Sequence, residues 1–151
     1  LGLIAQSAEL VGSMERALEM TLDYLRTRKQ FGQAIGSFQS LQHRAVDLWM
    51  AKELARHAVT AAVNAASAPD VTARARGAAA SSAKNRAAES AMLIAKQTIQ
   101  LHGAIGTTDE YDLGLFVNRM ITTVPWLGGA AAHRHRYGAL APARERVSAH
   151  A

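Results

Sequence analysis

Two short stretches concentrate the residue types that bind charged, flat ligands. In the first, Arg26, Arg28 and Lys29 run into Gln30-Phe31-Gly32-Gln33-Ala34-Ile35, followed by Phe38, Gln39 and Gln42. A guanidinium forks onto paired phosphate oxygens, and neighbouring aromatic rings offer stacking surface. The second stretch is Gln100-Leu101-His102-Gly103-Ala104-Ile105-Gly106. There a side-chain amide stands beside glycines that let backbone N–H groups approach a ligand closely. Each stretch alone also has a plainer reading. Arg28 suits a helix C-terminus through the helix dipole, an isolated Phe31 belongs to a core, and a glycine-rich run simply joins helices. Other chemistry is poorly supplied. The chain has no cysteine, so it has neither a disulfide framework nor a thiolate metal site. His133 and His135 stand two apart, on different faces of any helix, which argues against a helical metal pair.

The elements that must carry these stretches are helical. Leu10, Met14, Ala17, Leu18, Thr21 and Leu25 recur at three- and four-residue spacing, with Glu15, Arg16 and Asp23 off that stripe. Residues 31–37 read as a connection. A second helix is expected from about Phe38 to Ala66 through Leu41, Ala45, Leu48, Ala51 and Ala55, and Pro69 ends it. A third runs from about Thr72 to Leu101, with Ala88, Ala91, Met92, Ala95 and Ile99 on one side. After the break at 102–108, Thr108 or Asp109 could cap a fourth helix that reaches about Thr123. Glu110 reads as a charge at the start of that helix rather than as a catalyst. Residues 124–129 interrupt again, and a last helix starts near Ala130. Alanine is the best helix former and adds little bulk, so its abundance suggests close helix packing. The fold class expected is therefore all-α, an up-down helical bundle forming one domain over residues 1–151.

The two stretches carry a resemblance. Arg28-Lys29-Gln30-Phe31-Gly32 with Ile35, Phe38, Gln39 and Gln42 looks like the Arg-x-x-Phe-Gly signature of the acyl-CoA dehydrogenases. Gln100 to Gly106, followed by Glu110-Tyr111, is similar to the family's Gln-x-x-Gly-Gly-x-Gly and its Glu-Tyr pair. The stretches come in the family's order, and the resemblance covers nearly the whole chain as a C-terminal domain. It implies helical and β domains upstream, FAD as cofactor and oxidation of acyl-CoA thioesters to the 2,3-enoyl form. It further implies Arg28 on the flavin diphosphate of a neighbouring subunit and Phe31 and Phe38 near the adenine end. Gln30 and Leu41 belong to the same cofactor-binding segment, and Gln100, Gly103 and Ala104 to the second one. Ala104 departs from the family pattern, which has glycine there.

The same resemblance exposes a gap. The family removes an α-proton with a carboxylate, in most members the glutamate of Glu-Gly-Thr at a fixed count after Glu-Tyr. Counting from Glu110-Tyr111 without a gap lands on Leu127-Gly128-Gly129. The alternative position, just before the first helix, falls near Gly2. Neither is a carboxylate, and Gly129 and Ala131 replace polar residues near the cofactor. Two explanations remain open. Either this is a non-catalytic subunit, with a partner chain supplying the glutamate in a homo- or hetero-oligomer, or the base lies elsewhere. Glu9 or a residue upstream of Leu1 is then the candidate, although Glu9 is roughly 10 Å along the helix from the alternative position.

The remaining composition sets bounds. The net charge is +5, with basic residues gathered at His133, Arg134, His135, Arg136, Arg144 and Arg146. A basic helical interaction module, even one binding nucleic acid, would explain that charge. A single aromatic, Tyr137, stands among these arginines, short of the interleaving a single-strand binder would want, so a solvated helix face is the expectation, with no nucleic-acid partner. An oxidase or monooxygenase on the same scaffold is a further flavin reading. No apolar run is long enough to span a bilayer, and the lack of cysteine fits a reducing, cytoplasmic setting. The chain begins at Leu1, already in helical pattern, which suggests an absent upstream segment.

Overall fold

The computed structural model describes residues 1–108 and 110–141. The expected cap at Asp109 and the basic residues Arg144 and Arg146 lie outside the described residues. The elements run α1 (Gly2–Thr27), β1 (Lys29–Gln30), β2 (Gln33–Ala34), α2 (Gln39–Ser67), α3 (Ala73–His102), α4 (Leu113–Thr123) and α5 (Ala130–Leu140), with 3-10 turns at Ile35–Ser37 and Gly103–Thr107.

The long helices form where the periodicity places them, because their apolar stripes meet. Leu10, Met14, Ala17, Leu18, Thr21 and Leu25 of α1 are all buried. Leu48, Ala55, Val59 and Ala62 of α2 face them across the core, with Leu113, Val117 and Met120 of α4 on the other flank. Helix α3 is the centre of the bundle, packing on α1, α2, α4 and α5. Its alanines allow this: Ala83, Ala87, Ala88 and Ala91 are fully buried, and their small side chains bring neighbouring helices close. Thr72 caps α3, its hydroxyl accepting from the Ala75 N–H at 3.2 Å.

Three expectations need correction. Met92 lies on the exposed side of α3, not with Ala88 and Ala91. Helix α4 begins at Leu113 rather than near Thr108, because the chain first spends residues 103–107 in a 3-10 turn. Glu110 therefore precedes the helix instead of sitting in its first turn. The connection at 31–37 also has more order than a plain loop. Lys29 pairs with Ala34 and Gln30 with Gln33 in a short antiparallel hairpin.

Candidate functional site

Arg28 sits at the junction of α1 and the hairpin. Its N–H donates to the Tyr24 carbonyl at 2.8 Å and closes the helix, while its carbonyl accepts from the Ile35 N–H at 2.8 Å and closes the loop. The backbone is therefore held from both sides while the side chain is exposed. Gln30, on β1, is exposed as well.

Phe31 occupies the tip of the hairpin with φ +53° and is 90% exposed. A bulky residue in the left-handed region costs about 1–2 kcal/mol, and the ring gains almost no burial in return. Phe38 lies edge-on to it at 6.1 Å between centroids. Phe38 ends the 3-10 turn and precedes α2. Gly36 lets that turn settle on α1, since a Cβ there would lie 2.8 Å from the Leu25 carbonyl oxygen. Gln42 donates to the Gly36 carbonyl at 3.0 Å and braces the same loop. Leu41 is half-buried and packs against the core, so its main contact is with the bundle.

The second stretch divides into different roles. Gln100, Gly103 and Ala104 are exposed at the end of α3. Gly103 takes φ +64° to leave the helix, with its N–H on the Ile99 carbonyl. Gly106, read from sequence as a ligand-facing glycine, is instead buried. A Cβ at Gly106 would lie 2.9 Å from the His102 Cβ and 3.1 Å from the Ile99 carbonyl oxygen, so the turn needs glycine to close on α3.

The two stretches meet through rings whose contact no sequence pattern revealed. His102 stacks on Tyr24 at 4.5 Å with an interplanar angle of 24°, and tilts against Tyr111 at 5.1 Å. Its Nδ1 lies 2.8 Å from the Thr98 carbonyl, and its Nε2 is buried with no partner among the described residues. Burial lowers the His102 pKa below the ordinary histidine value, with the Thr98 carbonyl opposing that shift. Facing a carbonyl oxygen, Nδ1 carries a hydrogen and donates it to Thr98. Burial, followed by the negative charge of nearby Asp23, raises the Tyr111 pKa.

The turn at 124–129 is held by buried polar side chains from several helices. Lys84, fully buried, donates from Nζ to the Val124 carbonyl at 3.0 Å and more weakly to that of Thr123 at 3.4 Å. Gln6 Nε2 donates to the Thr123 carbonyl at 3.1 Å. The ammonium of Lys84, on α3, meets the C-terminal end of α4, where a cation is favoured, although burial lowers its pKa. His133 was expected on a solvated basic face; it is buried instead, with Nε2 2.8 Å from the Leu127 carbonyl. His135 and Arg136 are exposed, and Arg134 pairs with Glu89 of α3. The signal for Lys84 and Gln6 was present in the sequence, since both fall on apolar stripes, four residues from Ala80 and Leu10 respectively.

Leu127 itself has φ +57° and is 64% exposed. A Cβ at Gly2 would lie 3.7 Å from its Cδ1. The two positions at which the resemblance would put a base are therefore neighbours in space, and both are apolar. Glu9 is engaged elsewhere, its carboxylate paired with the Arg119 guanidinium. One more surface stands out. Val46, Trp49, Met50 and Leu54 form an exposed apolar stripe along α2 beside exposed Leu93 of α3. No helix among the described residues is long and apolar enough to cross a membrane.

This is an antiparallel helical bundle in which two ordered loops present an arginine, an outward-facing phenylalanine and a glycine turn. Residues 3–138 match the family model for the acyl-CoA dehydrogenase C-terminal domain, and the chain belongs to that family. It is 41% identical over 116 residues to acyl-CoA dehydrogenase IpdE2 of Mycobacterium tuberculosis, covering 77% of this chain and 34% of the relative. Acyl-CoA dehydrogenase FadE34 of the same organism is 34% identical, over 91% of this chain and 19% of the relative. Among solved structures, the Tcur3481-Tcur3483 steroid ACAD aligns with a TM-score of 0.85 at 33% identity, covering 91% of this chain and 37% of that one. The ChsE4-ChsE5 complex from Mycobacterium tuberculosis aligns with a TM-score of 0.83 at 29% identity, covering 91% and 36%. The chain thus spans about a third of the length of most of these proteins.

Proposed function

We propose that this chain is the C-terminal domain of an FAD-dependent acyl-CoA dehydrogenase, that it helps bind flavin and build the oligomer, and that it brings no catalytic base of its own. The observation that carries the last point is the meeting of Gly2 and Leu127. Neither can accept a proton, and the nearby candidate Glu9 is committed to Arg119. The α-proton is then taken by a glutamate on a partner dehydrogenase subunit. Related structures named for two components, Tcur3481-Tcur3483 and ChsE4-ChsE5, support a two-chain assembly of this kind. The apolar stripe from Val46 to Leu54 on α2 is the surface best suited to such packing. Helical and β domains upstream complete the whole enzyme in this reading, in line with the third of its relatives' length that the chain spans, and the assembly works in the cytoplasm.

The residues at the hairpin suit FAD. Arg28 offers an exposed guanidinium on a fixed backbone, and Phe31 holds its ring outward at a conformational cost that packing within this chain does not offset. In this reading Arg28 grips the diphosphate, Phe31 and Phe38 flank the adenine end, and Gln30, Gln100, Gly103 and Ala104 contribute polar and backbone contacts. When bound, the flavin supplies the acceptor for hydride from the β-carbon. Structures of PigA with FAD, at 26–27% identity, support this choice of cofactor.

A second acyl-CoA chemistry on the scaffold has one observation in its favour. The 3-sulfinopropanoyl-CoA desulfinase of Paraburkholderia xenovorans is 34% identical over 112 residues. An assay of the full-length assembly with a panel of acyl-CoA thioesters separates the readings: enoyl-CoA formation supports dehydrogenation, and turnover without it supports the alternative. The cofactor assignment is tested by Arg28→Ala, expected to weaken FAD retention in the assembled enzyme by about 1.5–3 kcal/mol. Unchanged occupancy would remove Arg28 from the site.

A further inference from the structure

The Tyr24–His102–Tyr111 cluster lies where three packed segments end: the last turn of α1, the C-terminus of α3 and the stretch after the 3-10 turn. Tyr24 stands on the last turn of α1, and its carbonyl receives the Arg28 N–H. His102 is the last residue of α3, directly before Gly103. Tyr111 follows the 3-10 turn. The His102 ring is fixed from its own helix by the Thr98 carbonyl, stacks on Tyr24 and leans at a tilt against Tyr111. The turn closes on the same residue, because only a glycine at 106 clears the His102 Cβ.

We propose that His102 is a positioning residue that holds the Arg28 end of α1 and the Gly103–Thr107 turn at a fixed spacing, so that both can engage one bound ligand. This rests on the reading of that ligand as FAD. The alternative, that His102 merely fills space, is disfavoured by its chemistry. A buried imidazole with an unpartnered nitrogen carries a desolvation cost that a phenyl ring would avoid. What the ring contributes is a face for Tyr24, a tilted contact with Tyr111 and a hydrogen bond that sets its angle. His102 touches no reacting atom in this account; it acts through Arg28 and through the turn.

The test uses the full-length assembly. His102→Ala removes both ring contacts and is expected to weaken FAD binding on the order of tenfold, while His102→Phe keeps an aromatic ring but loses the hydrogen bond to Thr98 that sets its angle, and is expected to weaken binding by an intermediate factor of about threefold. Val59→Ala, a core truncation on α2, controls for general loss of stability and should leave FAD affinity within about twofold. A double-mutant cycle gives the finer readout. In an Arg28→Ala background, His102→Ala should cost clearly less than it does alone. Full additivity, or equal loss of FAD in the His102→Ala and Val59→Ala proteins at matched stability, would overturn the proposal.

Hydrogen exchange on the apoprotein provides an arm independent of flavin. The Ile35 amide, bonded to the Arg28 carbonyl, should exchange on the order of tenfold faster in His102→Ala than in Val59→Ala. Equal rates would overturn the positioning role even if the cofactor reading holds. A wild-type assembly that binds no FAD would sink the cofactor reading and leave this arm to decide the role of His102.

Discussion

Replacing Phe31 by glycine separates a residue kept for binding from one kept for folding. With φ +53° and 90% exposure, Phe31 contributes backbone strain and almost no burial. Glycine relieves about 1–2 kcal/mol of left-handed strain and costs about 0.5–1 kcal/mol in chain entropy. Loss of the edge-on contact with Phe38 takes away at most about 0.5–1.5 kcal/mol, and less at an exposed pair. These terms nearly cancel, so the stability of the apoprotein should stay within about 1 kcal/mol of wild type. Flavin retention should behave differently. Loss of aromatic stacking on a base costs about 1–3 kcal/mol in other systems, which corresponds to roughly 5- to 150-fold in affinity. Two measurements decide it: urea unfolding of the apoprotein followed by far-UV circular dichroism, and FAD titration of the assembled enzyme followed by flavin fluorescence. A stability loss above about 2 kcal/mol with unchanged flavin affinity would show that the ring serves the fold, and the reasoning would fail.

Two further expectations concern the bundle itself. Gly106→Ala forces a Cβ to within 2.9 Å of His102 and should cost about 1–3 kcal/mol by overpacking, whereas Gly12→Ala on α1 meets nothing within 4 Å and should be neutral or stabilising by up to about 1 kcal/mol; unfolding midpoints of the two variants check the opposite signs. Hydrogen bonds from Arg56 and then Lys52 lower the Glu53 pKa from 4.5 to about 2. A depressed carboxylate contributes stability above its unfolded pKa and loses it as pH falls toward the folded value. Glu53→Gln should therefore flatten the acid decline of stability between about pH 4.5 and 2, and an unchanged profile would contradict the assignment.

The sequence made some features legible and concealed others for identifiable reasons. Stripes at helical spacing reported the faces of α1 and α2 because burial there follows periodicity alone. Pro69 and the Thr72 cap marked a boundary whose cause is local. Met92 was misread because α3 packs on several sides, so that alanines are buried around much of its circumference and the stripe loses its edge. The roles of Gly103 and Gly106 look alike in sequence. One provides a left-handed exit and the other a close approach to α3, a distinction fixed by tertiary contact. His133 reads as one more member of a basic tail until α5 turns it toward the Leu127 carbonyl. The pairing of Glu9 with Arg119 and the meeting of Gly2 with Leu127 span more than a hundred residues of chain. No local pattern encodes contacts of that kind. Arg28 and Phe31 stood out by residue type and motif, but the positive φ and full exposure that give Phe31 its meaning came only with the structure.

The central claim, that this chain carries no base, is tested most directly by mixing the purified full-length chain, reconstituted with FAD and free of any partner, with acyl-CoA under anaerobic conditions and following flavin absorbance. Loss of a general base costs about 100- to 10,000-fold in rate, so the flavin should remain oxidised on a timescale in which an assembly with a glutamate-bearing subunit bleaches fully. Rapid bleaching with enoyl-CoA formed by the single chain would contradict the account and place the base elsewhere in the protein.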